Sequence, residues 1–197
     1  MLGLFGEGIE SLRLPCSYVI LAPAIGIALF GRRRTSITIG SFVLAAVLIS
    51  WLRFAGWWFE APGGVVQVVA GAAIVVVGTI AYRSDRWIYD AAVGAVTGSI
   101  AVWSWIPCVG PELGDLLNRV GDSPWANLAG TASFIVGLLS PFVVLAAAQA
   151  TFPRLDERLD REPLRVAGAV IVVVVGLLVM ATLFDEVASE LAQRSTF

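Results

Sequence analysis

The chain holds two cysteines, Cys16 and Cys108, and each directly follows a proline inside a long apolar stretch. The second lies in Ser104-Trp105-Ile106-Pro107-Cys108-Val109-Gly110-Pro111-Glu112-Leu113-Gly114, and Leu14-Pro15-Cys16 is its shorter echo. Proline removes a backbone donor, which is costly where no water can satisfy the freed carbonyl. A lone cysteine in a membrane segment is usually a small apolar filler. Two of them, both after proline, point instead to thiol chemistry, and they are enough for one disulfide. Arg13 stands three residues before Cys16, where on a helix it shares that face and lowers the thiol pKa; its plainer reading is an interfacial anchor. Glu112 and Asp115 follow Cys108 by four and seven residues and share one face if the helix resumes beyond Pro111. Glu112 is then a candidate proton donor or acceptor, against the plainer reading that this segment already lies at the outer surface. Gly110 and Gly114 either assist the break or allow close helix packing.

Other chemistries lack their donors. With no histidine and two methionines, a haem ligand pair, a zinc cage or an imidazole relay would have to be built without the usual groups. No metal site and no cofactor is expected. No Cys-x-x-Cys occurs in the chain, so any thioredoxin-like partner is a separate polypeptide. No nucleic acid is expected among the partners.

The elements that must position these residues are membrane spans. Of the 197 residues 58% are hydrophobic and 14% charged, mean hydropathy is +0.85, and several apolar runs can cross a hydrocarbon core of about 30 Å. The expected spans cover about 9–30 (interrupted by Pro15 and Pro23), 37–59, 64–82, 88–117 (broken at Pro107 and Pro111), 125–152 (with Pro141 in its middle) and 164–184. No basic cluster precedes the first apolar stretch, so it is read as retained and not as a signal peptide. The expectation is one transmembrane domain over 1–197. All thirteen basic residues are arginine. Arg32, Arg33, Arg34, Arg83, Arg86, Arg154, Arg158 and Arg161 fall in the loops after spans one, three and five, with Arg165 at the edge, and only Arg119 and Arg194 fall on the other side. By the positive-inside rule both termini lie outside the cytoplasm.

The spans repeat. Val69 to Val77 reads against Val166 to Val174 at an offset of 97, Pro15-Cys16 and Pro107-Cys108 repeat at 92, and Ser50 and Ser140 sit at comparable depths in spans two and five. Three spans followed by three spans reverse the second half, which gives two inverted repeats, about 9–82 and 88–184, with proline-broken helices one and four meeting at their interface. At about 1.5 Å per residue, Cys16 lies roughly 22 Å and Cys108 roughly 27 Å from the cytoplasmic ends of their spans. Depths this similar permit a disulfide without requiring one.

The second motif, Trp105 to Gly114, resembles the second cysteine motif of the CcdA/DsbD family of membrane thiol–disulfide oxidoreductases, and Leu14-Pro15-Cys16 with Pro23 resembles the first. The first motif departs from the family pattern: Val19 stands where members usually have a further proline, and Pro23 comes seven residues after the cysteine where about six is usual. The resemblance implies a six-span protein of the bacterial inner membrane. In it a cytoplasmic thioredoxin reduces a Cys16–Cys108 disulfide, and the dithiol then reduces an extracytoplasmic thioredoxin-like protein, as in cytochrome c biogenesis. By the same pattern, Cys16 is the residue expected to attach to thioredoxin. Two other classes stay open: a small-solute or metal-ion transporter of inverted-repeat fold, and a non-catalytic assembly subunit for cytochrome maturation.

Overall fold

The computed structural model describes residues 2–14, 17–30, 35–54, 64–84, 86–120, 123–152, 162–183, 186–187 and 190, with the side chains of 53–54 and 104–120 outside that description. Every described element is helical, as the apolar runs require: where water cannot reach, a helix satisfies its own backbone groups. The helices are α1 (Leu2–Glu10), α2 (Tyr18–Phe30), α3 (Thr35–Phe54), α4 (Gly64–Arg83), α5 (Trp87–Val120), α6 (Pro124–Leu138), α7 (Ser140–Thr151) and α8 (Glu162–Met180). A 3-10 turn, Ser11–Arg13, extends α1.

Three of them, over Thr35–Leu52, Gly64–Arg83 and Glu162–Met180, are long and apolar enough to cross a membrane, with mean hydropathies of 1.9, 2.2 and 2.4. Two bent pairs, Leu2–Arg13 with Tyr18–Phe30 at 91° and Pro124–Leu138 with Ser140–Thr151 at 81°, raise the number to as many as five among the described residues. One set of valines on α4 and α8 faces outward, Val69 being 63% and Val170 55% exposed, so these faces suit hydrocarbon and not water. The chain is thus a multi-pass membrane protein in outline.

The expected breaks are corrected in two places. Helix α5 runs from Trp87 to Val120 without interruption, although spans one and four were the pair expected to break. Pro107 and Pro111 are four residues apart, so the backbone positions they weaken fall on one stripe of the helix, and neighbouring helices can re-satisfy such a stripe. Pro23 likewise lies buried inside an unbroken α2. The second bend comes in span five instead. Pro141 sits in the first turn of α7 after Leu139 (φ −92°, ψ 12°) has left helical geometry. There its missing N–H costs nothing, since the first turn has no intrahelical partner anyway. Leu139 closes the corner: its N–H donates to the Ile135 carbonyl at 2.9 Å, and its own carbonyl accepts from Phe142 and Val143 at 3.0 Å each.

Packing sets the arrangement. Helix α3 packs along α5, α8 against α4 and α2, and α1 against α6, with further contacts of α5 to α2, α4 and α6 and of α3 to α2, α6 and α7. When each bent pair is taken as one span, these contacts map onto one another under exchange of spans one to three with four to six. Span two on four answers span five on one, and span one on six answers span four on three. Glycines make the closest of these contacts. A Cβ on Gly98 would sit 2.5 Å from the Phe42 carbonyl oxygen, and one on Gly8 would collide with the Phe134 carbonyl oxygen. Phe42 and Phe134 are separated by 92 residues, the cysteine offset, each following a serine. Direction differs, however. Gly94 and Gly98 meet Thr38 and Phe42 in parallel register, whereas Gly8 and Phe5 meet Phe134 and Gly137 in the opposite sense.

Gly98→Leu therefore forces α3 and α5 apart and is expected to cost about 3 kcal/mol as overpacking against backbone. Gly40→Ala, where an added Cβ meets nothing within 4 Å, leaves the thermal midpoint in detergent unchanged. Equal midpoints for the two variants would refute the glycine-mediated contact.

Candidate functional site

The first bend is built by Ser11, Leu14 and Ser17. Leu14 precedes Pro15, and a residue before proline is pushed out of the helical region. Leu14 accordingly adopts φ −77°, ψ 134° and ends the 3-10 turn. The Ser11 carbonyl, orphaned by that ending, accepts from Leu14 N–H at 3.1 Å and from Ser17 Oγ at 2.5 Å. Ser17 N–H donates to the Leu14 carbonyl at 3.0 Å, and Ser11 Oγ donates back to the Glu7 carbonyl at 2.9 Å. Ser17 has no exposed surface and Ser11 is buried as well. A buried corner of this kind needs its polar groups paired, and the two serines pair them.

The structure places the expected site residues unevenly. Pro15 and Cys16 lie outside the described residues. Pro107, Cys108, Gly110, Pro111 and Glu112 belong to the backbone of α5, and their side chains lie outside the description. Helix α2, which begins two residues after Cys16, packs against α5, the helix that carries Cys108. Arg13 is exposed, and the extended Leu14 separates it from Cys16. Exposure of Arg13 agrees with an interfacial anchor, and its expected shared face with Cys16 falls on a residue outside the described ones. Among the described residues no group of three or more His, Cys, Asp or Glu could hold a metal.

Sequence reasoning used Ser50 only as a repeat marker and missed three further interior polar side chains, Thr97, Thr131 and Gln149. Ser50, Thr97 and Thr131 are fully or almost fully buried and Gln149 is 6% exposed, and the hydroxyls of the first three and both amide atoms of the last have no hydrogen-bond partner among the described residues. Elsewhere Thr79, Ser99 and Ser133 bond to the carbonyl four residues back, at 2.7 to 2.8 Å, which is how a hydroxyl in an apolar helix is ordinarily satisfied. The missed signal was their polarity within apolar runs. Thr131 lies one turn before Phe134 on α6 and so shares the face that Gly8 of α1 meets. Asp90, also buried, stands in the first turn of α5, where the helix dipole favours a carboxylate.

No family model, curated protein or solved structure matches this chain.

Ser17→Ala removes the only side-chain bond to the corner carbonyl and should destabilise by about 1 kcal/mol. Thr131→Val removes a hydroxyl that has no protein partner, so chemical or thermal unfolding should find it neutral or stabilising. A larger loss in Thr131→Val than in Ser17→Ala would reverse this assignment of the two hydroxyls.

Proposed function

We propose that the protein is a transmembrane thiol–disulfide relay of the CcdA/DsbD type, carrying reducing equivalents across a bacterial inner membrane through Cys16 and Cys108. The observation that carries the reading is the coincidence of the first Pro-Cys site with the 91° bend between Arg13 and Tyr18. The packing of α2, which leaves that bend, against α5 supports it. A thiol at a corner where the helix ladder is interrupted is more open to an attacking thiolate than one in a continuous helix.

The chemistry balances without a cofactor. A thioredoxin thiolate attacks Cys16 Sγ of a Cys16–Cys108 disulfide, and Cys108 leaves as thiolate and takes up a proton. The second thioredoxin thiol, as thiolate, then attacks its own sulfur in the mixed disulfide and releases Cys16, so thioredoxin is oxidised by two electrons and the pair is reduced. Reversal of these steps on the disulfide of an extracytoplasmic thioredoxin-like protein regenerates the starting state. Direction follows the reduction potentials, about 30 mV being worth roughly 1.4 kcal/mol for two electrons. In this reading Glu112 exchanges the proton at Cys108, Pro15, Pro107, Gly110 and Pro111 give the segments local freedom, and Pro23 supports the packing of α2.

Six spans in two inverted repeats complete the proposal, supported by the exchange correspondence of the packing pairs. Both termini are extracytoplasmic, with Tyr82 and Arg165 at the cytoplasmic face, in keeping with the arginine distribution. A second reading, a solute transporter of inverted-repeat fold, draws on one specific observation: the unpartnered Ser50, Thr97, Thr131 and Gln149 in the interior.

Acid quenching followed by thiol alkylation separates the two readings. The relay requires Cys16 and Cys108 to cycle between disulfide and dithiol with the supply of reduced thioredoxin. Cys108→Ala should accumulate a covalent adduct with thioredoxin through Cys16. Two free thiols under all redox conditions, with no adduct in either single variant, would sink the relay. Solute uptake that persists in a Cys16→Ser, Cys108→Ser double variant would favour the transporter.

A further inference from the structure

Helices α4 and α8 cross in antiparallel register, Gly71 meeting Gly176 and Gly78 meeting Val172, and they leave a groove of about 280 Å³ on their outer side. Its walls are Gly78 and Tyr82 of α4 and Val166, Ala169, Val170 and Val174 of α8, and the one further polar side chain, Thr79, spends its hydroxyl on the Val75 carbonyl. Val170 and Val174 are 55% and 46% exposed, so the groove opens sideways, toward hydrocarbon if α4 and α8 span a bilayer. One end is different. The Arg165 guanidinium lies 4.4 Å from the centre of the Tyr82 ring and donates one N–H to the Tyr82 carbonyl oxygen. A guanidinium has five such donors, and the other four of Arg165 meet no protein acceptor among the described residues. Arg83 and Arg86 follow on the same side, both exposed.

We propose that this groove binds an anionic phospholipid of the cytoplasmic leaflet, with an acyl chain along the α4–α8 seam and the headgroup phosphate on Arg165 and Arg83. The charge pattern selects the occupant: an apolar channel ending in fixed cations complements a molecule that is an apolar chain ending in an anion. A peptide strand would bring backbone groups into a channel with no partner for them. A second copy, related by a two-fold axis along the membrane normal, would set its own Arg165 and Arg83 against these. The inference is independent of the thiol chemistry and rests on the membrane embedding and on the orientation proposed above. The neighbouring apolar groove between α2 and α8, lined by Tyr18, Val19, Ala22 and Leu178 among others, has no charged residue in its walls and serves as an internal contrast.

The test is native mass spectrometry of the full chain released from vesicles of phosphatidylcholine and phosphatidylglycerol with matched acyl chains. Wild-type protein should carry phosphatidylglycerol in preference, and Arg165→Gln and Arg83→Gln should each reduce the preference about fivefold. Arg83 is exposed, so its variant keeps the test open should Arg165→Gln misfold. Val170→Trp, which fills the groove, should release the bound lipid, whereas Val19→Leu at the contrasting groove should leave the preference intact. Equal retention of both lipids by wild type, an unchanged preference in both arginine variants, displacement by inorganic phosphate, or a lipid-free dimer sealed at α4 and α8 would each overturn the proposal.

Discussion

Inside hydrocarbon a backbone carbonyl that loses its helical partner has no water to turn to, and both corners of this protein are shaped by that constraint. At the first, the Ser11 carbonyl is left over when Leu14 turns extended, and Leu14 N–H and Ser17 Oγ take it up. At the second, Leu139 bridges back to Ile135 and forward to Phe142 and Val143 with backbone groups alone. Each corner is then pressed against a neighbour. Gly8 and Gly137 let α1 and α6 approach until a Cβ at either position would strike the other helix's backbone, so the two bent spans support one another.

The same constraint explains why prolines of one residue type have different effects. Pro141 stands in a first turn, where its missing N–H removes no bond, and the chain bends just before it. Pro23 stands in the interior of α2 and is absorbed without a break. Pro107 and Pro111 are absorbed in α5, which at 34 residues spans about 51 Å, well beyond a hydrocarbon core of about 30 Å. Proline marks a backbone weakness. Whether the weakness becomes a corner depends on where the helix starts and what packs beside it.

The exterior and the interior divide the polar work. The outer faces of α4 and α8 are valine and alanine, with arginine and tyrosine confined to one end. The interior is the aliphatic and aromatic cluster around Ile20, Ile27, Phe42, Ile74, Phe134 and Leu138, into which Ser50, Thr97, Thr131 and Gln149 project unpaired polar atoms. Retaining such groups in a membrane interior carries a desolvation cost, and this is the strongest sign in the described core that the bundle does more than hold itself together.

The sequence by itself determined that the chain is a multi-pass helical membrane protein, because apolar run length and arginine placement are local properties that a bilayer reads directly. It also determined where α3, α4 and α8 run, to within a few residues, and favoured a break near Pro15, since the residue before a proline is biased away from helical geometry. Tertiary structure alone decided the rest. It chose Pro141 over Pro107 and Pro111 as the second corner, because the cost of a lost hydrogen bond depends on neighbouring helices that no window of sequence contains. It also brought Gly98 against the Phe42 carbonyl and Gly8 against the Phe134 carbonyl, contacts that no window of sequence predicts: side chains that nearly any apolar run contains carry little register, whereas a glycine meeting a particular carbonyl carries a great deal.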